Sequence, residues 1–197
     1  MKLYHMSDSL SVGVELISDY KRNAGLAEPF VKALQLNQDV FFAMLLNAFY
    51  FGEVLAKYKM SGVPTNETKW ACEGLFEYIR RTEFPVKCSR LKSNYYYDTL
   101  ENCKKLYFED WGNASEEERR KIRLFEVVVD GDLCKYDMTL FDKAYDLLAD
   151  LESPDGVAEI YDIARAYFRG TLSQDYIIEI LSEGKAIAIN DISTLLT

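Results

Sequence analysis

The chain has 197 residues, enough to bury a real core, and this length favours a single domain spanning residues 1–197. Hydrophobic residues make up 49% of it, with 14 Tyr and 11 Phe, which excludes a disordered chain. The formal charge of −9 argues against a protein that coats nucleic acid or an anionic membrane, because both need a cationic face.

The first part of the chain predicts strands followed by a helical stretch. The expected ranges are a strand at 2–6, a second strand or extended segment at 12–17, and helices at 28–36, 38–58 and 65–81. The first of these helices is placed at Glu28 because Pro29 suits a first helical turn. We expect the helical stretch, about residues 28–83, to form a subdomain laid against a sheet.

The second half alternates between strands and helices. Strands are predicted at 91–97, 122–129, 176–181 and 185–190, and helices at 99–111, from 115, at 140–151 and at 153–170. One strand, a helical insertion and a mixed second half together indicate the α+β class.

No secretory signal or membrane span is expected, because the longest apolar run, residues 40–51, is about half of what a bilayer requires. The cysteines form no C-x-x-C pair, and we expect reduced thiols in a cytoplasmic compartment. They are Cys72, Cys88, Cys103 and Cys134. The chain also lacks a Gly-rich phosphate loop and any metal-ligand spacing.

Two segments could contact a nucleotide. The only histidine, His5, stands with Ser7 at the end of the first strand, where it is either a ribose contact or a partly buried polar residue. Residues 88–97 combine two cations, two serines and three tyrosines, which could hold a phosphate and stack a planar ring. The alternative is a strand of alternating core and surface tyrosines.

One carboxylate, Glu179, lies inside an apolar β segment. It either points into a site or protects an edge strand with its charge. Asp130, Asp132 and Asp137 are alternative acids, although Asp130-Gly131-Asp132 is typical of a hairpin turn.

The order of these strands, helices and candidate residues along the chain resembles that of an ADP-ribosyltransferase-like domain. The resemblance lies in an opening strand with His5, a helical stretch, a Ser- and Tyr-rich strand at 89–97 that leads into a helix, and the late Glu179. The chain is most similar to a bacterial and phage branch of uncharacterised domains, on a second set of short motifs. These are Glu77-Tyr78-Ile79-Arg80, Phe84-Pro85, Ser89-Arg90 and Tyr167-Phe168-Arg169-Gly170.

The resemblance implies a split β-sandwich with an N-terminal helical insertion, and NAD bound in a cleft between two small sheets without a metal. Glu179 would be the catalytic residue. The NAD-binding residues it implies are His5, Ser7, Ser89, Arg90, Ser93, Tyr95 and Tyr96. Among them, His5 would contact a ribose hydroxyl, Ser7 the nicotinamide amide, Arg90 the pyrophosphate, and Ser93 with Tyr95 or Tyr96 the nicotinamide ring.

The function that the resemblance implies is transfer of ADP-ribose from NAD to a macromolecule, a protein rather than a nucleic acid, in a phage–host or toxin-type conflict. Ile177 stands where arginine-modifying members have Glu or Gln, which argues against an arginine-directed transferase. Met6 stands where a Gly after the histidine is usual. The alternatives are an NAD glycohydrolase with the same site and a non-catalytic acidic inhibitor that binds a basic partner.

Overall fold

A computed structural model describes residues 2–18, 20–46 and 67–196. The chain divides into two compact units. Unit 1 comprises Met1–Ser18, Ser93–Tyr136 and Ile177–Thr197, and unit 2 comprises Asp19–Lys92 and Asp137–Tyr176. Unit 1 contains the sheets and unit 2 most of the helices, so the predicted α+β class is confirmed.

Unit 1 is built on two sheets. Its strands are β1 (Lys2–Ser7), β2 (Glu15–Leu16), β3 (Asn94–Tyr96), β4 (Arg123–Asp130), β5 (Cys134–Asp137), β6 (Ile178–Ser182) and β7 (Lys185–Asp191). The four-stranded sheet has the order β1-β4-β7-β2, and the three-stranded sheet has the order β3-β6-β5. Although β6 and β7 follow one another along the chain, they belong to different sheets.

A shared apolar core joins the two sheets of unit 1. Leu3, Phe125 and Val127 from the four-stranded sheet and Tyr96 and Ile180 from the three-stranded sheet belong to one buried cluster. Side chains alternate between the two faces of a strand, so each sheet turns one face toward this cluster.

Two further helices complete unit 1, α4 (Leu100–Trp111) and α5 (Glu116–Lys121). Cys103 and Tyr107 of α4 form a second buried cluster with Leu124 of β4. Both helices begin at a capping side chain. Thr99 accepts a hydrogen bond from a backbone N–H of α4, and Ser115 with Glu118 forms a capping box on α5.

Unit 2 contains α1 (Tyr20–Leu36), α2 (Gln38–Leu45), α3 (Glu67–Glu83), α6 (Met138–Ala149) and α7 (Val157–Arg169). Helix α3 contacts α1, α6 and α7. It approaches α1 so closely at Gly74 that a Cβ there would lie 2.7 Å from the Cβ of Phe30. The absent side chain therefore permits this helix–helix distance.

Aromatic rings fill the core of unit 2. Phe76 of α3 lies with its ring centroid 4.9 Å from that of Phe141 and 5.3 Å from that of Tyr167. Phe84 stacks on Phe168, with 5.7 Å between ring centroids. Such edge and offset contacts add about 0.5–1.5 kcal/mol per pair to the burial of the rings.

Most predicted elements after residue 98 are present within one to three residues of their expected bounds, and the predicted first strand is confirmed as β1. The start of the first helix is wrong: α1 begins at Tyr20, so Pro29 lies inside it. Proline costs about 3 kcal/mol in a helix interior. Burial of Leu26, Ala27 and Phe30 on the same helix offsets that cost.

The helix predicted at 38–58 is confirmed as far as Leu45. Residues 47–66 lie outside the described residues, and they include the rest of this predicted helix, the predicted break and the predicted cap before Glu67. The strand predicted at 91–97 is shorter, Asn94–Tyr96, and β5 was not predicted. The helical part is larger than 28–83, because Asp137–Tyr176 also belongs to unit 2.

The expectation of four reduced thiols is wrong for two of them. Cys72 and Cys103 are free and buried, whereas Cys88 and Cys134 are disulfide-bonded. Burial raises the pKa of the Cys103 thiol to about 12, so it stays protonated at neutral pH. None of the helices in the described ranges has both the length and the apolar character needed to cross a membrane.

Candidate functional site

The three motifs that carried the resemblance lie on neighbouring strands of unit 1. Tyr4 and Tyr97 exchange two backbone hydrogen bonds of 2.9 Å, which places β1 beside the end of β3. Strand β3 in turn pairs with β6, with Tyr96 opposite Ile180. His5, the Ser- and Tyr-rich segment and Glu179 are thereby carried on three adjacent strands.

His5 is fixed by a backbone hydrogen bond. Its Nδ1 donates to the carbonyl oxygen of Tyr95 at 2.8 Å, since a carbonyl oxygen can only accept. Burial lowers the pKa of His5 below its usual 6.5, against a smaller opposite effect of that hydrogen bond, so the ring is neutral at pH 7. In this tautomer, Nε2 carries a lone pair and can accept a hydrogen bond from a hydroxyl.

His5 lines a pocket of about 240 Å³ together with Ser7, Leu10, Glu15 and Asn94. This volume lies below the ~300–1,000 Å³ usual for small-molecule sites. The pocket can therefore enclose only part of a ligand as large as a dinucleotide.

Ser7 shapes the wall of this pocket. Its Oγ accepts hydrogen bonds from the backbone N–H groups of Ser9 (3.2 Å) and Leu10 (3.1 Å) and so holds the turn after β1. Asn94 was not among the NAD-binding residues predicted from the sequence. Strand alternation provides the signal for it, because Asn94 shares a face with Tyr96, whose ring centroid lies 5.9 Å from that of His5.

Glu179 is 1% exposed and does not line the pocket beside His5. Its neighbours Ile178 and Ile180 pack into the cluster between the sheets, so Glu179 extends from the opposite face of β6. Tyr95 lies opposite Leu181 and shares this face with Glu179. The structure thus brings Glu179 onto a strand close to His5, but on the other side of the three-stranded sheet.

Ser93 and Tyr96 are both buried. The Ser93 hydroxyl has no hydrogen-bond partner among the described residues, which leaves a donor and an acceptor unused beside Asn94. Burial raises the pKa of the Tyr96 phenol to about 12, so it remains neutral.

Ser89 and Arg90 belong to unit 2, where both are buried. The Arg90 guanidinium donates to both carboxylate oxygens of Glu73, at 3.1 and 3.2 Å, and to the Tyr167 hydroxyl at 3.0 Å. It also lies 3.7 Å from the centre of the Phe141 ring. Arg90 was expected to contact the pyrophosphate, but its charge is already paired with Glu73 and covered by the Phe141 ring.

The second set of short motifs forms one connected network in unit 2. Glu77 accepts hydrogen bonds from Arg80, at 2.8 and 2.9 Å, and from the Ser89 hydroxyl at 2.9 Å. Arg80 also donates to the carbonyl oxygen of Pro85 at 3.2 Å. These motifs hold α3 against the segment that follows it, so the expected NAD-binding role of Ser89 gives way to a bond with Glu77.

A family model described as "Protein of unknown function (DUF2441)" matches residues 3–194, almost the whole described chain. This chain belongs to that family. Among curated proteins, none matches the chain at a significant level. The match spans both units, so the strands with His5 and Glu179 and the Glu77 network are all parts of the DUF2441 domain.

Proposed function

We propose that this DUF2441 domain is an NAD-dependent ADP-ribosyltransferase. One observation carries the proposal: His5, the segment from Ser93 to Tyr97, and Glu179 come from distant parts of the sequence and are carried on three adjacent strands, with Glu179 on the face of β6 away from His5. The split β-sandwich fold that the resemblance implies has the same general arrangement, two small sheets around one core. We therefore extend the proposal to an ADP-ribosyltransferase-like fold for unit 1.

The donor set beside His5 suits the nicotinamide ribose of NAD. The neutral His5 offers Nε2 as an acceptor for a ribose hydroxyl, and Asn94 offers a donor and an acceptor that match a carboxamide. The pocket takes the nicotinamide riboside end, and the remainder of NAD extends outside it. No cation among the described residues lines this pocket, so the pyrophosphate would lie in solvent.

In the reaction, the bond between nicotinamide and C1 of the ribose breaks, and nicotinamide leaves with the bonding electrons. Positive charge builds on the ribose, as in glycoside hydrolysis. A carboxylate held close to this charge stabilises it. Glu179 is the buried carboxylate that the resemblance implies for this role, and because it lies on the face of the three-stranded sheet away from the His5 pocket, the role requires the ribose to reach that face. A nucleophile of the acceptor then bonds to C1 and releases its proton.

The acceptor that we propose is a protein with a basic surface. The chain carries a formal charge of −9, which steers it toward cationic partners and away from nucleic acid. A phage–host or toxin-type conflict in the cytoplasm is the biological setting that fits such a transferase.

A second candidate is a protein that binds NAD or a related nucleoside without cleaving it. It is favoured by the position of Glu179, which does not line the pocket beside His5. In that case, Glu179 would be a structural carboxylate of β6, and His5 would still be the ligand contact.

The test is nicotinamide release from NAD, measured with wild-type protein and with Glu179→Gln and His5→Gln variants. Glu183→Gln is the matched control, because Glu183 is an exposed acid in the turn that directly follows β6. We expect Glu179→Gln to reduce release by about 10²–10³-fold, the usual effect of losing one electrostatic stabiliser. Glu183→Gln should keep the wild-type rate.

Transfer is read in the same samples with labelled NAD and cell lysate. Labelled protein together with released nicotinamide supports a transferase, and release without label supports an NAD glycohydrolase. Binding of NAD without release, equal in wild type and Glu179→Gln, supports the second candidate. No binding by any variant contradicts both.

A further inference from the structure

Unit 1 contains a second cavity, of about 560 Å³, within the size range of ~300–1,000 Å³ that small-molecule sites occupy. It shares no lining residue with the His5 pocket. The residues that line it are Tyr107, Phe108, Glu116, Arg119, Arg120, Ile122, Ser193, Thr194 and Leu196.

The charge of this cavity is locally positive in an acidic protein. Arg120 forms an ion pair with Glu116, so these two lining charges neutralise one another. Arg119 is half-buried, and none of the described residues pairs with its guanidinium. A half-buried cation without a counter-ion, in a chain of charge −9, favours an anionic ligand.

The position of Arg119 is well fixed by its backbone. The Tyr107 hydroxyl donates to the Arg119 carbonyl oxygen at 3.2 Å, and the capping box of Ser115 and Glu118 holds the start of α5. The backbone that carries this guanidinium therefore belongs to a fixed helix rather than to a loose loop.

Next to the cation, the cavity offers an aromatic surface. Phe108 is 54% exposed, and its ring centroid lies 5.5 Å from that of Tyr107. An exposed ring can stack on a planar group. Ser193 and Thr194 also line the cavity.

We propose that this cavity binds a small nucleotide, with a phosphate on Arg119 and a base against Phe108. A phosphate matches the planar guanidinium, and a base matches the exposed ring. A ligand with both groups is needed to use the whole site. An inorganic anion would not contact Phe108, and a neutral aromatic molecule would leave the charge of Arg119 unpaired. The proposal is independent of NAD cleavage at His5.

The test is binding of AMP, measured by calorimetry, with adenosine and inorganic phosphate as partial ligands. Wild type should bind AMP at least tenfold more tightly than either part. Arg119→Gln should weaken AMP binding by roughly 10–100-fold, the range for loss of a hydrogen bond to a charged group. Lys121→Gln is the matched control, because it removes the same charge from the same helix outside the cavity.

Two further variants locate the bound nucleotide. Phe108→Leu replaces an exposed ring, so it should leave folding intact while weakening AMP but not phosphate. His5→Gln should leave AMP binding unchanged. The proposal is overturned if AMP fails to bind, if Arg119→Gln and Lys121→Gln bind it equally, or if only His5→Gln abolishes binding.

Discussion

Both units bury polar and charged side chains, but they satisfy them in different ways. In unit 2, Glu73 and Glu77 are 5% and 3% exposed, and arginine side chains donate to both. In unit 1, His5 uses one ring nitrogen for Tyr95 and lines a pocket, while the Ser93 hydroxyl has no partner among the described residues.

The contrast separates structural polar groups from groups that can serve a ligand. In a network such as that of Glu77, the donors and acceptors are already bonded to one another, and these bonds hold the helix to its neighbouring segments. Polar groups with unused capacity beside a pocket can exchange water for a ligand without breaking any protein contact. This is why we place the ligand in unit 1, although the sequence offers more charge around Ser89 and Arg90.

The largest effect is expected from breaking the closed network. Glu77→Gln removes the charge that faces Arg80 and Arg81, and it should lower the free energy of unfolding by about 3–5 kcal/mol, as for a broken buried ion pair. Urea denaturation monitors the loss. The control is Glu83→Gln, which breaks a partly exposed pair with Arg165 and should cost ~1 kcal/mol or less.

The same network predicts the response to acid. Burial raises the pKa of Glu77, but the hydrogen bonds and charges of Arg80, Arg81 and Ser89 together outweigh it, so the pKa lies below its usual 4.5. The stabilisation is therefore complete above pH 4.5 and is lost as the pH falls through the lowered value. Wild type should lose stability there more steeply than Glu77→Gln. Parallel curves for the two would show that Glu77 does not titrate in this way.

A smaller effect is expected at the open site. Because burial lowers the pKa of His5 below its usual 6.5, NAD affinity should stay level across neutral and higher pH. It should decrease by up to about tenfold per pH unit once the ring takes up a proton at Nε2 and stops accepting. His5→Gln should bind NAD weakly with a level profile. A decrease that persists in His5→Gln would contradict the role of Nε2 in binding.

Local signals predicted much of the fold. The caps at Thr99 and Ser115 and the Gly170 end of α7, where φ is 77°, act through neighbouring residues and can be read from sequence. The start of α1 could not, because burial of Leu26 and Phe30 against other helices outweighs the proline signal. Strand β5 has four residues, too few to show an alternating pattern.

The site was predictable only in part, because a sequence motif gives the residue and not its partners. His5 and Ser7 line one pocket, as residues near one strand end should. Arg90 was expected to be open to a phosphate, but Glu73, Tyr167 and Phe141 from other helices enclose it. The face of β6 on which Glu179 lies is decided by the packing of Ile178 and Ile180 against the other sheet.

The most direct test of the account is a crystal structure of the Glu179→Gln variant with NAD. We expect density for the nicotinamide ribose in the pocket lined by His5 and Asn94, with a ribose hydroxyl within hydrogen-bond distance of Nε2 of His5. Density for NAD elsewhere, or none at a concentration that saturates binding in solution, would contradict it.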